Sequence, residues 1–230
     1  MEQLTFELAA PEPPSFANFL PGRNAEVVAS LARLAAGELR ETGVLVWGGP
    51  GSGRTHLLVA TVAAARGHRP AVYCANPGSA PAEPPGAEAL VAVDDVERAD
   101  PDAQGRLFTL FNRLQATGGQ LVAAAAEPPG RLPLRDDLRT RLGWGLVYEL
   151  LPLADAEKPA ALARYAAERG FPLSDDVIAY LLAHGRRDMT TLIATLVALD
   201  RYSLAAKRPI TVPLLRTWLQ REIPLRETGG

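Results

Sequence analysis

The segment with the most evident chemistry is a glycine-rich loop at residues 48–55, which reads Gly-Gly-Pro-Gly-Ser-Gly-Arg-Thr. Its spacing fits the phosphate-binding pattern G-x-x-x-x-G-[K]-[ST], with arginine where lysine normally stands. The backbone N–H groups of such a loop meet phosphate oxygens at the start of a helix, and the last hydroxyl is placed for a Mg²⁺ ion. The predicted nucleotide-contacting residues are Gly48, Pro50, Gly51, Ser52, Gly53, Arg54, Thr55 and His56, with Thr55 also as a metal ligand.

Arg54 departs from the usual lysine of this motif. Its guanidinium is larger, planar and always charged, whereas the lysine ammonium acts as a compact point charge. We expect Arg54 to lie beside the β-phosphate, binding to survive and turnover at this site to be weak. Taken alone, the loop is also compatible with a glycine- and proline-rich turn of no chemical function.

A pair of carboxylates follows an apolar run about 40 residues after the loop. Residues 90–93 are Leu-Val-Ala-Val, and Asp94 and Asp95 come directly after them. A buried strand that ends this way delivers its first carboxylate to Mg²⁺ beside the phosphates, and the second is placed to orient water. Two acids also end many ordinary strands, but the loop, the spacing and the acids together predict a nucleotide site with Asp94 as metal ligand and Asp95 as a catalytic residue.

Short apolar runs alternate with helical stretches around these motifs, which predicts a mostly parallel sheet covered on both faces. Asn24 is placed as the N-cap of a first helix, and Trp47, Trp144 and Trp218 lie in apolar contexts that predict core positions. The predicted strands are 44–47, 71–74, 90–93, 121–125 and 146–149, and the predicted helices between them are 54–66, 102–117 and 134–141.

The pattern changes after Leu153, where only helices are predicted. A separate helical domain is therefore expected, with helices at 156–169, 175–184, 188–205 and 213–222. The expected domains are a polar tail at 1–15, a nucleotide-binding core at 16–152 and the helical domain at 153–230.

Composition excludes several classes of protein. The 230 residues are 47% apolar and 22% charged, with a net charge of −2, which argues against a broad basic face for DNA. One cysteine, Cys74, and three scattered histidines form neither a disulfide framework nor a metal cluster. There is no apolar run long enough for a membrane span and no signal peptide, so we expect a cytoplasmic protein.

Four segments together resemble the initiator family of AAA+ proteins, over nearly the whole chain. They are Ser15–Gly22, the acids Asp94-Asp95, Arg139–Gly145 and Gly185–Met189. The resemblance implies a five-stranded parallel αβα core with a small C-terminal all-helical lid. It further implies that Phe19, Leu20 and Pro21 contact the adenine, that Arg141 is a trans-acting arginine finger and that Arg187 senses phosphate, although the adjacent Arg186 could serve instead.

Within this family the chain most resembles the regulatory members that inactivate the initiator DnaA, on the evidence of Arg54, Gly170–Leu173 and the segment from Leu199 to Pro213. No helix-turn-helix domain is expected after the lid. The family's polar sensor 1 residue is missing, because residues 123–126 are all alanine and no side chain there can hydrogen-bond a γ-phosphate.

The tail carries a candidate interaction motif, Gln3-Leu4-Thr5-Phe6-Glu7-Leu8, which resembles the short motif that binds the DNA polymerase sliding clamp. The amide of Gln3 would make directed hydrogen bonds while Leu4, Phe6 and Leu8 would enter an apolar groove, and Thr5 is also assigned to the motif. The alternatives are a disordered end or an edge strand.

The resulting hypothesis is a negative regulator of replication initiation that binds ADP or ATP with Mg²⁺. Its partners would be the sliding clamp and DnaA, with DNA contacted only through the clamp, no membrane contact, and a nucleoid association that follows from the clamp. A homo-oligomer is compatible with this hypothesis. The alternatives are a helicase-loader-like ATPase, and a passive clamp-binding adaptor with a vestigial nucleotide site.

Overall fold

A computed structural model describes residues 13–171, 173–185 and 188–222. The chain divides into two compact units, one formed by Pro14–Pro152 and the other containing the residues from Leu153 onward. The first contains a sheet flanked by helices and the second is helical. Across the described residues, every helix is too short or too polar to cross a membrane.

The first unit is built on five strands, all paired in parallel. They are β1 (Gly43–Trp47), β2 (Ala71–Cys74), β3 (Leu90–Val93), β4 (Gln120–Ala125) and β5 (Leu146–Glu149). Their order in the sheet is β2-β3-β4-β1-β5, so that β4 separates β1 from β3. The prediction of a five-stranded parallel sheet is confirmed, because strands of a sheet covered on both faces are short and mostly apolar, which is visible in the sequence.

Four helices cover this sheet: α1 (Ala25–Ala35), α2 (Arg54–Ala65), α3 (Pro101–Ala116) and α4 (Asp136–Trp144). Alternate residues along each strand face opposite layers. Leu45 packs in a layer with residues of α3 and α4, and its neighbour Val46 packs in a layer with residues of α1 and α2. The residues of the three central strands β1, β3 and β4 are therefore enclosed by two separate apolar layers.

Three details differ from the sequence prediction. Asn24 precedes α1 but makes no capping hydrogen bond; its buried amide instead donates to the Leu151 carbonyl at 2.8 Å and accepts from the Leu151 N–H at 2.9 Å. Helix α4 ends at Trp144 rather than at 141, so Arg141 lies inside the helix. Trp144 is 68% exposed and not in the core, because the face that α4 buries is marked by Leu138 and Leu142, one turn apart, and position 144 lies away from it.

The helical unit comprises α5 (Lys158–Glu168), α6 (Asp175–His184), α7 (Met189–Ala206) and α8 (Val212–Glu222). These helices enclose their own apolar core, to which Leu162, Leu181, Leu196 and Leu215 each contribute a fully buried or nearly fully buried side chain. The prediction of a C-terminal helical lid domain is confirmed.

Candidate nucleotide-binding site

The glycine-rich loop connects the end of β1 to the start of α2. Gly51 and Gly53 have φ angles of 76° and 97°, a left-handed conformation that only glycine adopts without strain. A side chain at Gly48 would overlap the carbonyl oxygen of Leu150. The glycines are therefore required by the backbone path, which returns the chain to the N-terminus of a helix of 12 residues.

Ser52 lies inside this loop and is only 5% exposed. Its hydroxyl is buried and has no hydrogen-bond partner among the described residues. A buried hydroxyl without a partner costs free energy unless a ligand satisfies it. Together with the free N–H groups and positive dipole at the start of α2, this hydroxyl fits an anionic group such as a phosphate chain.

The two predicted metal ligands are brought together at the base of the loop. The Thr55 hydroxyl donates to Oδ2 of Asp94 at 2.5 Å, and Asp94 is 4% exposed at the end of β3. Tyr73 on β2 donates to the same oxygen at 3.2 Å. Burial, and the nearby Asp94 carboxylate, raise the pKa of Tyr73 to about 12, so its hydroxyl remains a donor at neutral pH. A hydroxyl beside a buried carboxylate is a donor set that suits Mg²⁺.

Arg54, the residue in place of the usual lysine, faces carboxylates. Its Nη2 lies 3.9 Å from Oδ1 of Asp95 and its Nη1 lies 4.0 Å from Oε1 of Glu97. The other oxygen of Asp95 is 3.3 Å from Nη1 of Arg98. Both oxygens of Asp95, the residue predicted to orient water, therefore face guanidinium groups.

The segment before α1 packs on the outer side of the loop. A Cβ at Gly53 would lie only 2.6 Å from Cε2 of Phe19, so this ring rests directly on the loop backbone. The Phe19 ring also lies 5.3 Å from the imidazole of His56, whose Nε2 donates to the Ser15 carbonyl at 2.9 Å. Leu20 and Pro21 follow as half-buried residues. The three predicted adenine-contacting residues thus lie in the segment that flanks the phosphate loop.

Arg141 lies at the other end of β1 from the loop. A Cβ at Gly43, the first residue of β1, would lie 3.6 Å from the Arg141 carbonyl, and a side chain at Gly145 would overlap the Gly43 carbonyl. The guanidinium of Arg141 lies 4.5 Å from the centre of the exposed Trp144 ring. The four residue steps of β1 span about 13 Å, so the backbone of Arg141 is held well away from the loop of its own chain.

Residues 155–219 match the family model described as "Hda, lid domain". The chain as a whole is similar in structure to domain III of the replication initiation protein DnaA from Thermotoga maritima, with a TM-score of 0.73, 19% identity, and coverage of 93% of this chain and 98% of that one. Residues 155–219 are thus similar to the Hda lid domain, and the chain has the fold of DnaA domain III.

Two further solved structures share the fold. AMPPCP-bound DnaA from Aquifex aeolicus matches with a TM-score of 0.67 and 19% identity, over 83% of this chain and 65% of that longer one. The RuvB Holliday junction branch migration motor of Thermotoga maritima matches with a TM-score of 0.63 and 18% identity, over 91% of this chain and 72% of that one. This fold is thus shared by proteins whose names give different roles, replication initiation and Holliday junction branch migration.

Two residues of this site were missed by sequence reasoning, Tyr73 described above and Glu97. The end of β4 carries only alanine side chains, yet Oε1 of Glu97 accepts a hydrogen bond from the Ala126 N–H at 3.2 Å. The Glu97 side chain is 19% exposed and reaches across from the short 3-10 turn Val96–Arg98 that follows β3. A third acid two residues beyond the Asp94-Asp95 pair was visible in the sequence, but only the fold shows that it ends beside β4.

The remaining predicted residues lie outside the described part of the chain. They are Arg186 and Arg187, of which Arg187 was predicted to sense phosphate, and the predicted clamp-binding residues Gln3, Leu4, Thr5, Phe6 and Leu8.

Proposed function

We propose that this protein is a negative regulator of bacterial replication initiation that stimulates the hydrolysis of ATP bound to DnaA. Arg141 acts in trans as the finger that completes the DnaA site, and residues Gln3–Leu8 hold the protein on the DNA-loaded sliding clamp. A bound nucleotide, ADP in our proposal, is held with Mg²⁺ by the loop, Thr55 and Asp94, while Phe19, Leu20 and Pro21 flank the base and Arg187 contacts phosphate.

The observation that carries this proposal is the position of Arg141. It lies in α4 against the first residue of β1, whereas the phosphate loop follows the last. Arg141 is half-buried, and its guanidinium lies over the ring of Trp144, itself 68% exposed. A stacked guanidinium at a surface, remote from its own site, suits contact with a phosphate bound to a neighbouring molecule.

The residues around the loop support weak turnover by the protein itself. Arg54 is shared between two carboxylates and both oxygens of Asp95 face arginines. The alanines that end β4 offer no side chain to a terminal phosphate or an attacking water. The chain therefore activates another ATPase more readily than it hydrolyses ATP.

The test is hydrolysis of ATP preloaded on the cognate DnaA, in the presence of clamp-loaded DNA, with and without this protein. We expect stimulation by the native chain and its loss in Arg141→Ala, since an arginine finger contributes roughly 10³–10⁵ in rate. Arg139→Ala is the matched control: Arg139 lies two residues earlier on α4 and pairs with Asp136, so this variant should retain full stimulation.

Equal stimulation by the native chain and Arg141→Ala would contradict the finger and favour the passive adaptor. Hydrolysis by this protein in the absence of DnaA, at a rate matching the stimulated reaction, would favour the helicase-loader alternative.

A further inference from the structure

Glu97 brings a carboxylate to the place where sensor 1 is missing. Its Oε1 accepts from the Ala126 N–H at 3.2 Å and lies 4.0 Å from Nη1 of Arg54. We propose that Glu97 is a specificity-determining residue that makes the site prefer a nucleoside diphosphate to a triphosphate. This proposal rests on the nucleotide site of the proposed function and names its ligand preference.

Among the described residues around the loop, carboxylates outnumber guanidinium groups. Asp94, Asp95 and Glu97 contribute three carboxylates, and the largely buried cation beside Asp95 and Glu97 is Arg54, whose side chain is 15% exposed. Arg98 pairs with Asp95 but is 75% exposed, so solvent screens much of its charge. One Mg²⁺ held by Asp94 offsets part of this excess, and each added phosphate group increases it again.

The buried polar atoms that lack a hydrogen-bond partner also favour a diphosphate over a triphosphate. Nη1 of Arg54 and Oε2 of Glu97 are buried, and neither has a hydrogen-bond partner among the described residues. A phosphate oxygen can accept from the free Arg54 N–H, but it cannot donate to the free carboxylate oxygen. Nη1 of Arg54 can therefore donate to one phosphate group, whereas the unpaired Oε2 of Glu97 disfavours a further phosphate group.

Glu97 lies beside the end of β4, where its carboxylate would disfavour a third phosphate group. In P-loop proteins the Walker B carboxylate and the loop hydroxyl hold the metal that bridges the β- and γ-phosphates, and the polar residues at the strand ends act on the γ-phosphate. Here the N–H at the end of β4 is already occupied by Glu97, so the polar group present is an anion. A nucleoside diphosphate lacks the third phosphate group that this carboxylate would repel.

The test is the affinity of the full chain for Mg²⁺-ADP and for Mg²⁺-AMPPCP, each measured by competition with a fluorescent ADP. In the native chain we expect ADP to bind more tightly. Glu97→Gln keeps an oxygen that accepts from Ala126 N–H but removes the charge, and we expect it to tighten AMPPCP binding about tenfold while ADP changes less than about twofold.

Glu127→Gln is the matched control, because Glu127 lies one residue beyond Ala126 yet is exposed and pairs with Arg131 at 3.6 Å. It should leave both affinities unchanged. Affinities for the two nucleotides that shift together in Glu97→Gln, or do not shift at all, would overturn the proposal, as would a native chain that binds neither nucleotide.

A variant that fails to fold, detected by thermal unfolding, does not end the test. Glu97→Ala, which also removes the charge, should then be measured in the same competition, and ADP and AMPPCP affinities that keep the native ratio would overturn the role of Glu97. None of these results alters the finger assay, which reads hydrolysis on DnaA.

Discussion

Several side chains at the loop form hydrogen bonds and ion pairs that the sequence motif alone does not predict. Thr55 and Asp94 are joined at 2.5 Å, whereas Arg54 is divided between Asp95 and Glu97. His56, which follows Thr55 on α2, has a different role: it ties the preceding segment to this helix through the Ser15 carbonyl. The imidazole thus connects the residues proposed to flank the base with those proposed to hold the phosphates.

The first prediction concerns pH. Burial lowers the pKa of His56 below its ordinary value of 6.5, with the Ser15 hydrogen bond partly opposing the shift. At pH values between the folded and the unfolded pKa of His56, the unfolded chain binds more protons than the folded chain. The contribution of the neutral His56 side chain to stability is therefore fully present above pH 6.5 and is lost as the pH falls toward the folded pKa. The contribution of His56 to this loss is at most about 1.4 kcal/mol per pH unit.

Urea unfolding at several pH values between 8 and about 5.5 measures this effect. The free energy of unfolding of the native chain should fall more steeply toward low pH than that of His56→Gln. His68→Gln, at an exposed histidine, should behave like the native chain. Parallel curves for the native chain and His56→Gln would contradict the prediction.

Single residues also show what sequence could predict. Thr55 and Asp94 could be named because motif spacing and a strand end position them by local structure alone. Glu97 and Tyr73 could not, because they reach the site only through the lateral order of β2, β3 and β4 in the sheet. The exposure of Trp144 was missed for a similar reason, since it depends on which face of α4 meets the sheet.

At the scale of elements, the strands were predicted to within one residue because polar residues occur only at strand ends, where Glu149 ends β5 and Gln120 begins β4. Glu149 is exposed, whereas Gln120 is only 3% exposed. Its amide donates to the carbonyls of Leu39 at 2.8 Å and Glu41 at 3.0 Å, and it accepts from Arg69 at 2.6 Å. This one side chain joins the loop before β1 to the segment before β2.

The second prediction follows from these three hydrogen bonds. Gln120→Leu would leave two carbonyls and part of the Arg69 guanidinium without their partner, so we expect the free energy of unfolding to fall by about 2–4 kcal/mol. Gln115→Leu, on the exposed side of α3, is the control and should change it by less than about 0.5 kcal/mol. Equal effects of the two substitutions would show that the hydrogen bonds of Gln120 contribute little.

At the scale of the whole molecule, the proposed function assigns different tasks to different parts of the chain. The sheet unit carries both the loop and Arg141, at opposite ends of β1, while the clamp motif was predicted for residues 3–8. A tether raises the local concentration of the finger without changing its chemistry. The tether should therefore affect the protein concentration needed for half-maximal stimulation, and the finger should affect the maximal rate.

The last prediction is that concentration can replace the tether but not the finger. In the hydrolysis assay on clamp-loaded DNA, the double variant Gln3→Ala with Leu4→Ala should need a higher protein concentration for half-maximal stimulation, by roughly 10²–10⁴-fold, and still reach the native maximum. Arg141→Ala should keep the native half-maximal concentration, measured by competition with the native chain, and have a low maximum at every concentration. A tail variant with a reduced maximum would mean that residues 3–8 also orient the finger, because loss of affinity alone cannot lower a rate measured at saturation.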